Sequence, residues 1–250
     1  MEAGVDRPRR WSSGIRRLCP AGAPALLATA ALLLAGCEKQ PPQPIFPKPQ
    51  RPVSPIVSPR FSNEDARDRI GEADTVMKLA DIRAGMSVAD IGAGEGYYTV
   101  RLAPLVGKDG RVLAQDIVPK TIEGLARRVQ RENLDNVAVK TGEPNDPKLP
   151  ERSFDRILMI HMYHEIESPL EFLWHIRDDV KPGGRVVVVD ADRGTDRHGT
   201  PPRLLICEFA SLGFELTRFE RLADTESYFA QFEPRQKRPQ PDEIPVCPAG

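Results

Sequence analysis

The stretch Val88-Ala-Asp-Ile-Gly-Ala-Gly-Glu-Gly-Tyr-Tyr-Thr99 carries an apolar run into an acid, Asp90, and then sets glycine at every second position, 92, 94 and 96. Residues without a Cβ let the backbone turn tightly and approach a ligand closely. A strand ending near Ile91 and running into this loop therefore predicts a binding loop. A dinucleotide loop of the form G-x-G-x-x-G needs glycine at 97, where this chain has Tyr97. Glu95 in the loop also opposes a pyrophosphate, which seeks amide donors at a helix N-terminus.

Outward from the loop, strands and helices alternate. Upstream, Ser62-Asn63 followed by Glu64 and Asp65 reads as a helix start, and the apolar positions Ala66, Ile70, Ala73, Met77 and Ala80 predict one helix reaching about Asp81. The strand 87–91 follows, then the loop, a helix from Thr99 to Val106 stopped by Gly107, and a strand 111–116. Further on come a helix from Pro119 to about Arg131, strands 137–140 and 154–160, and a helix from Pro169 to Val180. The run Val186-Val-Val-Val189 within the strand 185–190 is what a strand buried on both faces of a parallel sheet requires. A helix over 201–211 and strands 214–219 and 228–232 complete a doubly wound α/β domain over residues 61–233.

Four further features stand in order after the loop: Asp116 closing the second strand, Thr141-Gly-Glu143 after the third, Ser153-Phe-Asp155 opening the fourth and Lys181-Pro-Gly-Gly184 before the fifth. With the acid-x-G-x-G-x-G form at Asp90, Gly92, Gly94 and Gly96, the segment from about 86 to 190 resembles the class I methyltransferases. The resemblance implies a Rossmann-like sheet of about seven strands and S-adenosylmethionine as cofactor. It assigns Asp116 to the ribose hydroxyls and Glu143 to the neighbourhood of the adenine amino group. Charge agrees, since Asp90 near the loop favours a ligand whose sulfonium and amino groups are cationic.

In this family, groups facing the methyl acceptor commonly follow the fourth strand, which here continues as Ile160-His-Met-Tyr-His-Glu-Ile166. His164 is the first candidate for base or acceptor-orienting group. Tyr163 and His161 are candidates for lining the cofactor, with Glu165 as an orienting partner. The order H-x-x-H-E matches no familiar zinc helix, so no metal is expected from that spacing. Asp190 and Asp192 end the fifth strand on the same side of the sheet, and Arg193, Arg197 and His198 follow in a polar loop. Tyr97 and Tyr98 open the helix after the glycine loop; one is expected toward the cofactor and the other against the upstream helix. The acceptor expected by default is a small or lipid-like molecule. A non-catalytic ligand-binding module and an NAD-type oxidoreductase are the competing functions.

The 250-residue chain has a formal net charge of −1, and nothing in that balance suggests a bulk nucleic-acid binder. Eight of its 25 prolines crowd between Pro41 and Pro59, predicting an extended linker over residues 37–60. Ahead lie an Arg-rich head and the apolar run 21–36, the layout of a signal peptide over 1–36. Leu34-Ala-Gly-Cys37 resembles the lipobox of bacterial lipoproteins, which implies a lipidated Cys37, membrane attachment and export. A misassigned start would instead leave the protein in the cytoplasm. The segment 38–60 could then hold the domain up to roughly 70 Å from a membrane, at about 3.1 Å per extended residue. Cys207 and Cys247 remain, as a buried thiol and a tail thiol or as a disulfide, with no spacing to decide. The tail over 234–250 is expected to be loose.

Overall fold

The computed structural model describes residues 44–56, 63–223 and 225–248. The signal-like segment 1–36 and Cys37 lie outside the described residues. Seven strands form one sheet: β1 (Ser87–Ile91), β2 (Arg111–Asp116), β3 (Val137–Thr141), β4 (Phe154–Ile160), β5 (Val180–Ala191), β6 (Phe214–Arg221) and β7 (Ser227–Pro234). Their spatial order is β3-β2-β1-β4-β5-β7-β6, all parallel except β7, which runs antiparallel to both neighbours. Because β1 pairs with both β2 and β4, the chain reverses direction there and leaves a crevice beyond the strand ends.

Alternation along the central strands divides the core. Val186 and Val188 join Ile157 and Met159 under α5 (Pro169–Asp179) and α6 (Pro202–Ser211). Val187 and Val189 join Val88 and Leu158 under α2 (Glu72–Leu79) and α3 (Thr99–Val106). All four valines are fully buried, as a strand covered on both faces demands. The last helix, α4 (Pro119–Arg131), buries Leu125 against the outer strands.

Three local expectations are corrected. The single helix from Glu64 is two, α1 (Glu64–Arg69) and α2, because Gly71 adopts a left-handed φ of 61° and leaves Ile70 half exposed. The proline-rich segment is not all extended linker, because it docks at Arg51 and Ser54. Arg51 Nε donates to Glu208 Oε1 at 3.0 Å, and the pair is 1% and 2% exposed. Ser54 Oγ donates to the Thr195 carbonyl and accepts from His198 N–H. The tail is likewise not loose. Cys207 on α6 is bonded to Cys247, Ile244 and Cys247 are buried, and Arg238 lies over the Trp174 ring at 3.5 Å.

The disulfide closes a separation of 40 residues, for which chain entropy gives about 4 kcal/mol of stabilisation. The variant Cys207→Ser/Cys247→Ser is therefore expected to lower the unfolding free energy by about 2–4 kcal/mol. Chemical denaturation of the two proteins measures it, and added reductant should close most of the gap.

Candidate functional site

A cavity of 420 Å³ opens beyond the ends of β1, β2 and β4, where the sheet reverses direction. Two carboxylates pin its glycine-rich floor. Asp90 Oδ2 accepts from Thr99 Oγ1 at 2.6 Å, which ties the end of β1 to the start of α3. Asp116 accepts from Gly94 N–H at 3.0 Å and from Val118 N–H at 2.9 Å, which ties the loop to the end of β2. Between these ties, Gly92, Gly94 and Gly96 all take positive φ. They serve different ends. A Cβ on Gly96 would lie 2.5 Å from Leu125 Cδ1, so that glycine lets α4 approach. A Cβ on Gly94 would meet nothing within 4 Å, so that glycine keeps space open above the loop.

Of the residues singled out in the sequence, Gly92, Gly94, Asp116, Glu143 and His161 line the cavity. Asp90 and Gly96 support the loop instead. Glu143 bonds through its backbone to Asp146, and its half-exposed side chain pairs with Lys148 at 3.4 Å. His161 sits at a left-handed φ of 57° just past β4, with Nε2 3.3 Å from Glu72 Oε2. Tyr97 lines the cavity and donates to Asp68, whereas Tyr98 is buried against α2 and donates to Glu72.

Tyr163 and His164 lie outside the cavity lining. Tyr163 is fully buried, and its hydroxyl turns away from the cavity to donate to Glu208 Oε2 at 2.7 Å. His164 is fully buried too and pairs through Nδ1 with Asp190, whose other oxygen accepts from Thr200 Oγ1 at 2.7 Å. Neither lines the cavity. The cause is the single turn of 3₁₀ helix over Tyr163–Glu165, which swings these side chains behind the strand end while His161 and Met162 stay at the rim. Asp192, at the end of the fifth strand, pairs with Arg221 at 2.6 Å.

Three contributors carried no sequence signal of their own. Glu72 gathers Arg67, Tyr98 and His161 around one carboxylate, and Arg67 lies over the Tyr97 ring at 3.9 Å. Burial raises the Glu72 pKa, but His161 and Arg67 outweigh it and hold it at about 2. Gln115, 1% exposed, also lines the cavity, and its Nε2 donor has no hydrogen-bond partner among the described residues. An unsatisfied buried donor is costly and suits a wall that meets a polar ligand.

Burial pushes the Asp90 carboxyl up from its ordinary 3.8 to about 6, despite the Thr99 bond. A raised pKa means that folding favours the protonated form. The resulting stability is complete below the unfolded value and is lost as pH rises through 6. Relative to Asp90→Asn, the wild type is expected to lose roughly 2–2.5 kcal/mol between pH 4 and pH 7, measured as the difference between two pH series of urea midpoints. A pH-independent difference would show that Asp90 is ionised throughout.

Residues 82–229 match a family model described as a methyltransferase domain. A protein-L-isoaspartate O-methyltransferase of Methanothrix thermoacetophila is 31% identical over 110 residues, covering 44% of this chain and 50% of its own length. One from Methanopyrus kandleri is 32% identical over 152 residues, 53% of this chain and 64% of its own. The chain thus spans half to two-thirds of the length of these curated relatives. A crystal structure described as a SAM-dependent methyltransferase from Aquifex aeolicus superposes with a TM-score of 0.62 at 24% identity, covering 67% of this chain and 92% of that one. A family model that covers the whole parallel half of the sheet, with its glycine loop and cavity, places the chain in the methyltransferase-domain family.

Proposed function

We propose that the chain is an S-adenosylmethionine-dependent methyltransferase acting on a small-molecule or lipid-like acceptor, and that it works outside the cytosol, tethered by a lipid on Cys37. The observation that carries the cofactor reading is the charge of the cavity. Six carboxylates line it, Glu64, Glu95, Asp116, Glu143, Glu165 and Glu167, against one guanidinium, Arg67. Such a wall favours a cationic ligand and disfavours a pyrophosphate.

When bound, the cofactor supplies a methyl group on positively charged sulfur, already activated toward a nucleophile. The protein's part is to hold, align and keep dry. Asp116 uses two of its acceptor sites on the loop and retains capacity for the ribose hydroxyls. Gln115 adds a buried donor beside it, and Gly94 leaves room for close approach. His161, oriented by Glu72, is the histidine at the cavity and therefore the candidate base if the acceptor must lose a proton.

The acceptor follows from the same charges. An acidic wall suits a neutral or cationic acceptor with an apolar body, for which Ile160, Met162, Ile166 and Phe172 provide contact. A protein carboxylate is the second reading, favoured by the names of the Methanothrix and Methanopyrus relatives. Export is supported by the Cys207–Cys247 disulfide, a pairing that persists in oxidising compartments.

Calorimetry on the full-length chain tests the cofactor reading. S-adenosylhomocysteine is expected to bind, NAD to give no heat, and Gly94→Ala to lose about tenfold or more in affinity, through backbone strain and a methyl in the ligand's path. Heat from NAD and none from the methyl donor or its product would overturn it. Transfer of labelled methyl to an isoaspartyl peptide would replace the small-molecule acceptor. For the tether, cells fed a fatty-acid probe should yield labelled protein; an unlabelled chain of full length removes Cys37 from the account.

A further inference from the structure

Behind the cavity's acidic wall, three potential ligands converge from two segments, the 3₁₀ turn Tyr163–Glu165 and the loop at His198. His164, Glu165 and His198 each offer one ring nitrogen or carboxylate oxygen, and these atoms all lie within 4.8 Å of one another. The His164 ring is held from behind. Its Nδ1 contacts both Asp190 oxygens, at 2.9 and 3.1 Å, which sets the proton on Nδ1 and leaves Nε2 as a lone-pair nitrogen. That Nε2 is buried on a fully buried side chain and has no hydrogen-bond partner among the described residues. It stands 3.9 Å from Glu165 Oε1, too far for a hydrogen bond.

His198 repeats the pattern. Its Nδ1 is buried with no hydrogen-bond partner among the described residues, and its ring meets the His164 ring edge-on at 5.5 Å. Its backbone takes a left-handed φ of 56°, uncommon for a residue with a Cβ. Ser54 holds that conformation by accepting from His198 N–H at 3.1 Å, while Ser54 N–H donates to the His164 carbonyl at 3.3 Å. The docked proline-rich segment thus clamps both histidines. A buried nitrogen with no partner among the described residues, on each of two adjacent imidazoles, is costly unless something accepts its lone pair.

We propose that His164, Glu165 and His198 form a site for one divalent transition-metal ion, with zinc the expected occupant and Asp190 the outer carboxylate that orients His164. Two imidazoles and one carboxylate suit zinc rather than magnesium or calcium, which prefer all-oxygen shells. A carboxylate on the far nitrogen of a ligating histidine is the usual second contact. Around a tetrahedral ion with bonds of 2.0–2.1 Å, ligand atoms lie about 3.4 Å apart, so the His164–Glu165 contact closes by about half an ångström on binding. Three protein ligands leave one coordination position for water or for an oxygen or sulfur of a bound molecule. Glu165 also lines the main cavity, which puts the ion at its wall. A role in activating the methyl acceptor rests on the function proposed above, but the site itself does not. The sequence spacing pointed to no metal because it set His161 beside His164. His198, 34 positions beyond His164, reaches the site only through the fold.

The test uses the full-length chain, stripped with chelator, dialysed against roughly 10 µM zinc and desalted, with metal content read by mass spectrometry. The wild type is expected to retain one zinc more than His198→Gln and Glu165→Gln, and millimolar magnesium should not displace it. Asp190→Asn should bind about 10–100-fold more weakly. Cys19 and Cys37 add the same background to every variant, so the difference between variants is the deciding quantity. His198 and Glu165 are only partly buried, and a thermal melt confirms that their variants fold even if a His164 variant does not. Equal zinc in wild type and His198→Gln, or none retained by the wild type, overturns the site. S-adenosylhomocysteine calorimetry on the same samples keeps the two readings apart: a protein that binds this ligand but no zinc loses only the metal site, and the converse loses only the cofactor.

Discussion

A carboxylate buried beneath the glycine loop is the contact on which the site depends. Asp90 is the last polar group of β1 before the chain must leave the sheet, and its bond to Thr99 fixes where α3 begins. With both ends of the loop set, the seven intervening residues have one short path. Asp116 then takes the Gly94 amide and fixes the loop's middle. The opening between β1 and β4 follows from strand order, but its floor follows from these two acids. Each acts first on the protein's own backbone, so acids that resemble ligand contacts in a sequence are also the fasteners of the surface they line.

The parallel half of the fold was legible because its signals are local and repeated. Val186–Val189 announced a strand covered on both faces, and the alternate glycines marked a loop at a strand end. The site was legible only in part. His161 and His164 lie three positions apart on what looked like one strand end, yet the 3₁₀ turn sends one to the cavity and the other to Asp190. Nothing in the spacing of Tyr97 and Tyr98 says which faces the cavity, since that depends on where α1 and α2 break at Gly71. Glu72 and Arg51 were silent, and the pairing of Cys247 was left open, for a different reason. Each acts through a partner 26 or more positions away, Tyr98 for Glu72, Glu208 for Arg51 and Cys207 for Cys247, and residue pattern carries no record of such pairings.

Charge is distributed with a consistent logic around the cavity. Glu143 at its rim pairs at the surface with Lys148, and Glu72, buried behind the lining residues Arg67 and His161, is kept ionised by them. Deeper in, Asp90 is pushed toward neutrality by burial. A cationic ligand entering from solvent therefore meets charged groups before it reaches the loop, and the most strongly desolvated acid lies under the floor rather than in its path.

Arg51 has a mechanical consequence. Its guanidinium donates to Glu208 and to the Tyr163 and Ile166 carbonyls, so the segment entering the fold is gripped by α6 and the 3₁₀ turn together. A pull transmitted along the chain from its N-terminal side would load this buried ion pair in shear before it reached any strand of the sheet. Arg51 therefore fixes where the segment enters the fold, three residues ahead of the Ser54 that clamps the histidine cluster.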